Sequence, residues 1–131
     1  MAQSIAFDLV SPERLLLSTE AEMVTVPGSD GYIGVMAGHM PLISTLRAGM
    51  IDVLKDGKDT RFFIRGGFVE VSGERVTVLA DEAIPFSALA LETLDQRIRD
   101  AEEDLAAAKD DRARNRAAEI LDDLRLVRAA F

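Results

Sequence analysis

The rhythm of apolar and polar residues along this chain changes once, near Pro85. Upstream, apolar positions alternate in short runs. Val69 and Val71, then Val76 and Val78, show the period of two most plainly. Successive side chains of a strand point to opposite sides, so this period marks a sheet with one buried face. Comparable runs fall at residues 5–10, 14–18, 22–26, 32–36, 40–46, 50–54, 61–65, 68–71 and 75–80. Turn residues separate them: Ser11-Pro12, Pro27-Gly28, Ser29-Asp30-Gly31, Ala48-Gly49, Asp56-Gly57, Gly66-Gly67 and Ser72-Gly73. Eight or nine strands in so short a stretch predict a sandwich or flattened barrel.

Downstream the period becomes helical. Leu91, Leu94, Ile98, Ala101, Leu105 and Ala108 repeat at alternating spacings of three and four, and so do Ala113, Ala117, Ile120, Leu124, Val127 and Phe131. Each run gives a helix one apolar stripe, and two stripes can close on each other as an antiparallel hairpin. Ser87 or Thr93 is the expected cap of the first helix, and Asp110 or Asp111 of the second. All nine glycines and all four prolines lie before residue 87. The reading is therefore an all-β sandwich domain over residues 1–86, followed by an α-helical hairpin arm over residues 87–131.

Composition narrows the function classes. The 131 residues include no cysteine, which removes disulfides, thiolate metal sites and cysteine nucleophiles together. A formal net charge of −8 makes nucleic acid and anionic lipid poor partners, because their phosphates repel the chain at long range. No apolar run approaches the roughly 18 residues of a membrane span. The N-terminal residues lack the basic and apolar pattern of a signal peptide, so the expectation is a soluble cytosolic protein without direct membrane insertion. Charge also divides unevenly: residues 87–111 carry −5 and residues 112–131 carry +2. Two explanations stand beside each other, pairing between the helices and a basic arm reaching for an acidic partner.

Candidate chemistry is sparse. His39 is the only histidine, and a serine triad would have to run through it with Asp30 approaching across a loop. Its sequence neighbours supply no carboxylate, and a histidine beside glycine in a turn is more often structural. The glycines of residues 28–38 suggest a phosphate loop, but no Gly-Lys-Ser/Thr ending and no helical pattern follow. Carboxylates at 102–104 and 110–111 imitate a metal-bearing tip, although a solvated helix face explains them more simply. The reading is of a protein with no catalytic, metal or cofactor site.

The run Val24-Thr-Val-Pro-Gly-Ser-Asp-Gly-Tyr-Ile-Gly-Val-Met-Ala-Gly-His-Met-Pro-Leu42 closely resembles the signature of the ε subunit of bacterial F-type ATP synthases. Phe7-Asp-Leu-Val-Ser-Pro-Glu13, Leu46-Arg-Ala-Gly49, Gly66-Gly-Phe-Val-Glu-Val71 and Val76-Thr-Val-Leu-Ala-Asp81 fit as well. The likeness is strong over residues 5–84 and looser in the helices. The mitochondrial counterpart, called δ, shares the fold. The resemblance implies a ten-stranded β-sandwich with a two-helix arm and no catalysis. It implies a rotor subunit on the central stalk that grips γ and rests on the polar loops of the c-ring. It places the protein peripherally on the cytoplasmic side of the bacterial plasma membrane. Matched by position, Ser29, Asp30, Gly31 and Tyr32 form the loop facing the c-ring, and Gly38, His39 and Met40 lie toward the same rotor contact. In this family the arm can fold down or extend toward the catalytic α/β subunits and inhibit ATP hydrolysis. Arg112, Arg114, Arg116, Arg125 and Arg128 are the expected inhibitory contacts.

One departure bears on ligands. Some relatives bind ATP between the helices through a motif of Leu or Ile, Asp, two variable residues, Arg and Ala. This chain has Leu89-Ala-Leu-Glu-Thr-Leu94 there, and Arg97 and Arg99 follow Asp95 at two and four residues rather than three. Glu119 and Asp123 stand where relatives present arginines. The resemblance then implies weak or absent ATP binding. The alternative reading is an acidic-tipped hairpin cofactor of another large complex, which leaves the glycine-rich signature unexplained.

Overall fold

In the computed structural model, which describes residues 3–130, the alternating half of the chain forms eight strands. They are β1 (Ile5–Val10), β2 (Leu15–Ala21), β3 (Met23–Gly28), β4 (Gly31–Val35), β5 (Leu42–Thr45), β6 (Gly49–Lys55), β7 (Lys58–Val71) and β8 (Arg75–Pro85). Hydrogen bonds connect them in the order β2-β1-β8-β7-β6-β3-β4, and β5 joins β7. Every pair is antiparallel except β1 with β8.

Two expected strands prove to be one. β7 runs for 14 residues through Gly66-Gly67 instead of breaking there. The glycines have φ of +69° and +103°, so the strand bends where other residues would be strained. A Cβ on Gly67 would lie 1.9 Å from the Leu79 carbonyl oxygen, which makes the close crossing of β7 and β8 specific to glycine. Beyond the bend β7 pairs with β5, and before it with β6. β8 follows β7 on both sides of the bend. The ladder thus folds into two layers, β2-β1-β8-β7-β5 and β8-β7-β6-β3-β4. Because β7 and β8 serve both layers, eight strands supply the segments of the expected ten-stranded sandwich.

The core lies between the layers. Ile5, Phe7 and Leu9 of β1, Val24 and Val26 of β3, Val69 and Val71 of β7, and Val76 and Val78 of β8 are almost completely buried. Each valine or isoleucine withdrawn in this way contributes roughly 1.5–3 kcal/mol relative to exposure.

The chain divides between Phe86 and Ser87 into two compact units, and the second is the hairpin. A short 3-10 turn, Phe86–Ala88, precedes α1 (Leu91–Ala107) and α2 (Asp111–Arg128). Neither expected cap of α1 is used: Ser87 sits in the 3-10 turn and Thr93 inside the helix. The N-cap is Ala90, which offers no side-chain acceptor. Asp110 does cap α2, accepting the Ala113 N–H at 2.7 Å. Leu94 and Ala101 are buried on α1, and Ala117, Leu121, Leu124 and Val127 on α2. The stripe of α2 therefore runs through Leu121, and Ile120 is exposed. Adjacent residues of a helix stand only about 100° apart, so both fit the apolar face by spacing and only one reaches its centre. Phe131, the last residue of the expected stripe, lies outside the described residues.

Candidate docking surfaces

The β3–β4 hairpin builds the first surface. Gly28 and Gly31 face each other across a two-residue turn of Ser29 and Asp30. Gly31 has φ of +132°, and Ser29, Asp30, Gly31 and Tyr32 are all exposed. The turn is buttressed from β5: the Ser29 N–H approaches Ser44 Oγ at 3.4 Å, and the two hydroxyls are 3.3 Å apart. A groove of about 360 Å³ opens here between β4 and β5, lined by residues 29–33 and 42–45. Its one charged group is Asp30. The site thus offers a carboxylate and the hydroxyls of Ser29, Tyr32, Ser44 and Thr45 beside a partly apolar slot, a surface matched to polar, hydrogen-bonding or cationic loops.

Gly38, His39 and Met40 lie elsewhere. They follow the far end of β4, a five-residue strand and so roughly 16 Å of extended chain from the turn. Gly38, with φ of +84°, occupies the turn closed by the His39 N–H on the Met36 carbonyl at 3.1 Å. Its own N–H donates to the Gly73 carbonyl at 2.9 Å, tying this loop to the β7–β8 turn. His39 Nδ1 donates to the Met40 carbonyl at 2.7 Å, not to Asp30. The two groups expected at one contact therefore occupy opposite ends of a strand, and the imagined His39–Asp30 pair does not form.

A second surface was not anticipated. In the first layer, register places Leu15, Val10, Leu79, Phe68 and Thr45 side by side across β2, β1, β8, β7 and β5. All point away from the core. Phe68 is 42% exposed, Leu79 38%, and Ile43 in the adjoining row 72%. The same row as Ile43 holds Glu70, Thr77, Asp8 and Ser18. Asp8 pairs with Arg75 and accepts a hydrogen bond from Ser18 Oγ at 2.6 Å. The result is an apolar band edged by a polar row. Its signal was present in the sequence: if Val69, Val71, Val76 and Val78 face inward, Phe68 and Leu79 must face out. Alternation alone said nothing of their alignment, which depends on register between distant strands.

On the hairpin the five arginines separate. Arg128 Nε donates to Asp95 at 2.9 Å, and Arg125 approaches Glu102 at 3.8 Å, both from α2 to α1. Arg114 pairs with Asp111 at 2.8 Å on its own helix. Arg112 and Arg116 are exposed and have no such partner among the described residues. Pairing between the helices thus accounts for part of the basic segment and leaves two cations for something else. Asp95, the carboxylate beside the altered nucleotide motif, is engaged by Arg128 rather than open to a ligand.

Among the described residues no group of three or more histidines and carboxylates is disposed to hold a metal, and no helix is long and apolar enough to cross a membrane. Residues 4–86 match the family model of the ATP synthase delta/epsilon chain β-sandwich domain. The ATP synthase epsilon chain of Parvibaculum lavamentivorans is 49% identical over 129 residues, covering 98% of each chain. The chain belongs to the ATP synthase epsilon-chain family. The epsilon chain of Rhodospirillum rubrum is 46% identical over 120 residues, covering 91% of this chain and 90% of that one. A chain in the Euglena gracilis mitochondrial ATP synthase matches with a TM-score of 0.80 and 25% identity, over 97% of this chain and 81% of that one. The fold recurs in the Tetrahymena thermophila mitochondrial enzyme, with a TM-score of 0.67 at 12% identity. An epsilon chain is a non-catalytic subunit of a membrane-bound complex. Membership in this family sets aside the reading of an acidic-tipped cofactor for some other assembly.

Proposed function

We propose that this epsilon chain couples the γ subunit to the c-ring, using the two exposed surfaces of its sandwich for different partners. The observation that carries this reading is their contrast in chemistry. The Ser29–Asp30 turn is polar and narrow, suited to the polar loops of a c-ring. The band of Leu15, Leu79 and Phe68 is broad and apolar, suited to the packed side chains of γ. The Euglena relative belongs to an assembly that includes F1 and the c-ring, which supports the pairing of partners. The subunit sits peripherally, on the cytoplasmic side of a bacterial plasma membrane.

The arm regulates. Arg112 and Arg116, the two cations not engaged in the hairpin, meet acidic groups on the catalytic α/β subunits and restrain rotation in the hydrolysis direction. Arg114 shares its charge with Asp111 and adds less. The test is to strip this subunit from the matching F1 complex and add back either the native chain or the Arg112→Glu, Arg116→Glu variant. The native chain suppresses ATP hydrolysis and the variant binds but suppresses less. Equal suppression by both would remove the arm's arginines from the account.

A further inference from the structure

We infer that Tyr32 is a positioning residue, which braces the Ser29–Gly31 turn against β6 rather than touching the partner itself. The inference rests on the docking role proposed above for this turn.

The argument starts from Pro27. β3 pairs with β6 through Met23↔Leu54, Val24↔Val53 and Thr25↔Asp52, and the ladder stops there. Continued by two residues, that register would set Pro27 opposite Met50. Proline has no N–H to donate, so the ladder loses one bond at this step. The other bond is diverted, because the Pro27 carbonyl accepts from the Arg47 N–H at 2.9 Å. The Met50 N–H is thus left without its strand partner. The Tyr32 hydroxyl accepts it instead, at 3.3 Å.

Geometry around the ring supports this assignment. Tyr32 stands opposite Pro27 in the β3–β4 ladder, so its side chain reaches β6 across the proline. Gly49 leaves the space it needs. A Cβ there would lie 2.8 Å from the Tyr32 hydroxyl oxygen and 3.0 Å from Pro27 Cβ. Pro27, Tyr32 and Gly49 form one device. The proline interrupts the sheet, the glycine clears a path, and the tyrosine restores the lost connection from the neighbouring strand. Tyr32 directly follows Gly31, so this connection holds the hairpin at the base of the turn that presents Ser29 and Asp30.

A residue that braces the turn and a residue that touches the partner predict different couplings. The experiment compares full-length Tyr32→Phe, Asp30→Ala and the double variant for binding to c-rings in detergent, with hydrogen exchange of the Met50 amide read in parallel. Tyr32→Phe keeps the ring and removes the acceptor. The expected result is about tenfold faster exchange at Met50 and several-fold weaker c-ring binding. Asp30→Ala weakens binding with Met50 exchange unchanged, and adding Tyr32→Phe to it weakens binding no further. Additive losses would overturn the inference by making Tyr32 a contact in its own right. Unchanged Met50 exchange in Tyr32→Phe would overturn the brace. Full binding by Asp30→Ala together with Ser29→Ala would overturn the docking role of the turn, and the inference with it.

Discussion

Replacing Leu15 by serine tests the apolar band without disturbing the fold. Leu15 is 57% exposed at the start of β2, beside Val10 at the edge of the band. Withdrawing a whole leucine side chain from water is worth roughly 1.5–3 kcal/mol, and more than half of this one remains to be buried. If γ covers the band, Leu15→Ser therefore costs about 1–1.7 kcal/mol of binding, a loss of roughly 5- to 18-fold in affinity. The isolated chain loses little, since surface substitutions of this kind stay within about 0.5 kcal/mol. The assay pairs a titration of the full chain against γ, in the F1 complex lacking this subunit, with denaturant unfolding of the chain alone. Phe68→Ser in the same row is the second probe and moves affinity in the same direction. Unchanged affinity in both variants would refute the reasoning and leave the band without a partner. A fall in stability equal to the fall in affinity would refute it differently, by showing that the side chain supports the sheet.

Other predictions follow from particular contacts. Gly67→Ala places a methyl group on the Leu79 carbonyl at positive φ, and denaturant unfolding will register a loss on the order of 3 kcal/mol or more. Gly73→Ala, which meets nothing closer than 4.0 Å and has no positive φ, stays within about 1 kcal/mol of the native chain in the same assay. Asp110→Ala removes the only side-chain cap seen at either helix start and lowers hairpin stability by about 1 kcal/mol, read by hydrogen exchange in the first turn of α2. Arg128→Glu breaks the pair with Asp95 and sets two carboxylates together. Both partners are about 40% exposed, so the loss from the broken pair stays near or below about 1 kcal/mol. Arg112→Glu leaves hairpin stability unchanged, and circular dichroism on heating distinguishes the two.

How much of this was legible in the sequence depended on the range of the interaction. Local signals read well. Period-two alternation located most strands, period-3.6 patterning located both helices, and Asp110 announced its capping role by spacing alone. The errors came where a distant residue decides. Gly66-Gly67 looked like a break, because two adjacent glycines in isolation are a turn signal. Only the approach of β8 to within contact of Gly67 shows that they let one strand bend. Thr93 has the residue type of an N-cap, yet the helix begins at Leu91 and carries Thr93 inside it. The apolar band was hidden for the same reason: its members come from five strands, and their alignment is a property of register. The role of Tyr32 needed three elements at once.

The central claim is that this subunit transmits rotation between γ and the c-ring. ATP-driven proton pumping tests it most directly, in vesicles carrying the synthase with the subunit removed and then restored. The account predicts that hydrolysis without the subunit moves few protons, that the native chain restores pumping, and that a chain carrying both Asp30→Ala and Leu15→Ser restores it poorly. Full pumping in vesicles that lack the subunit would contradict it.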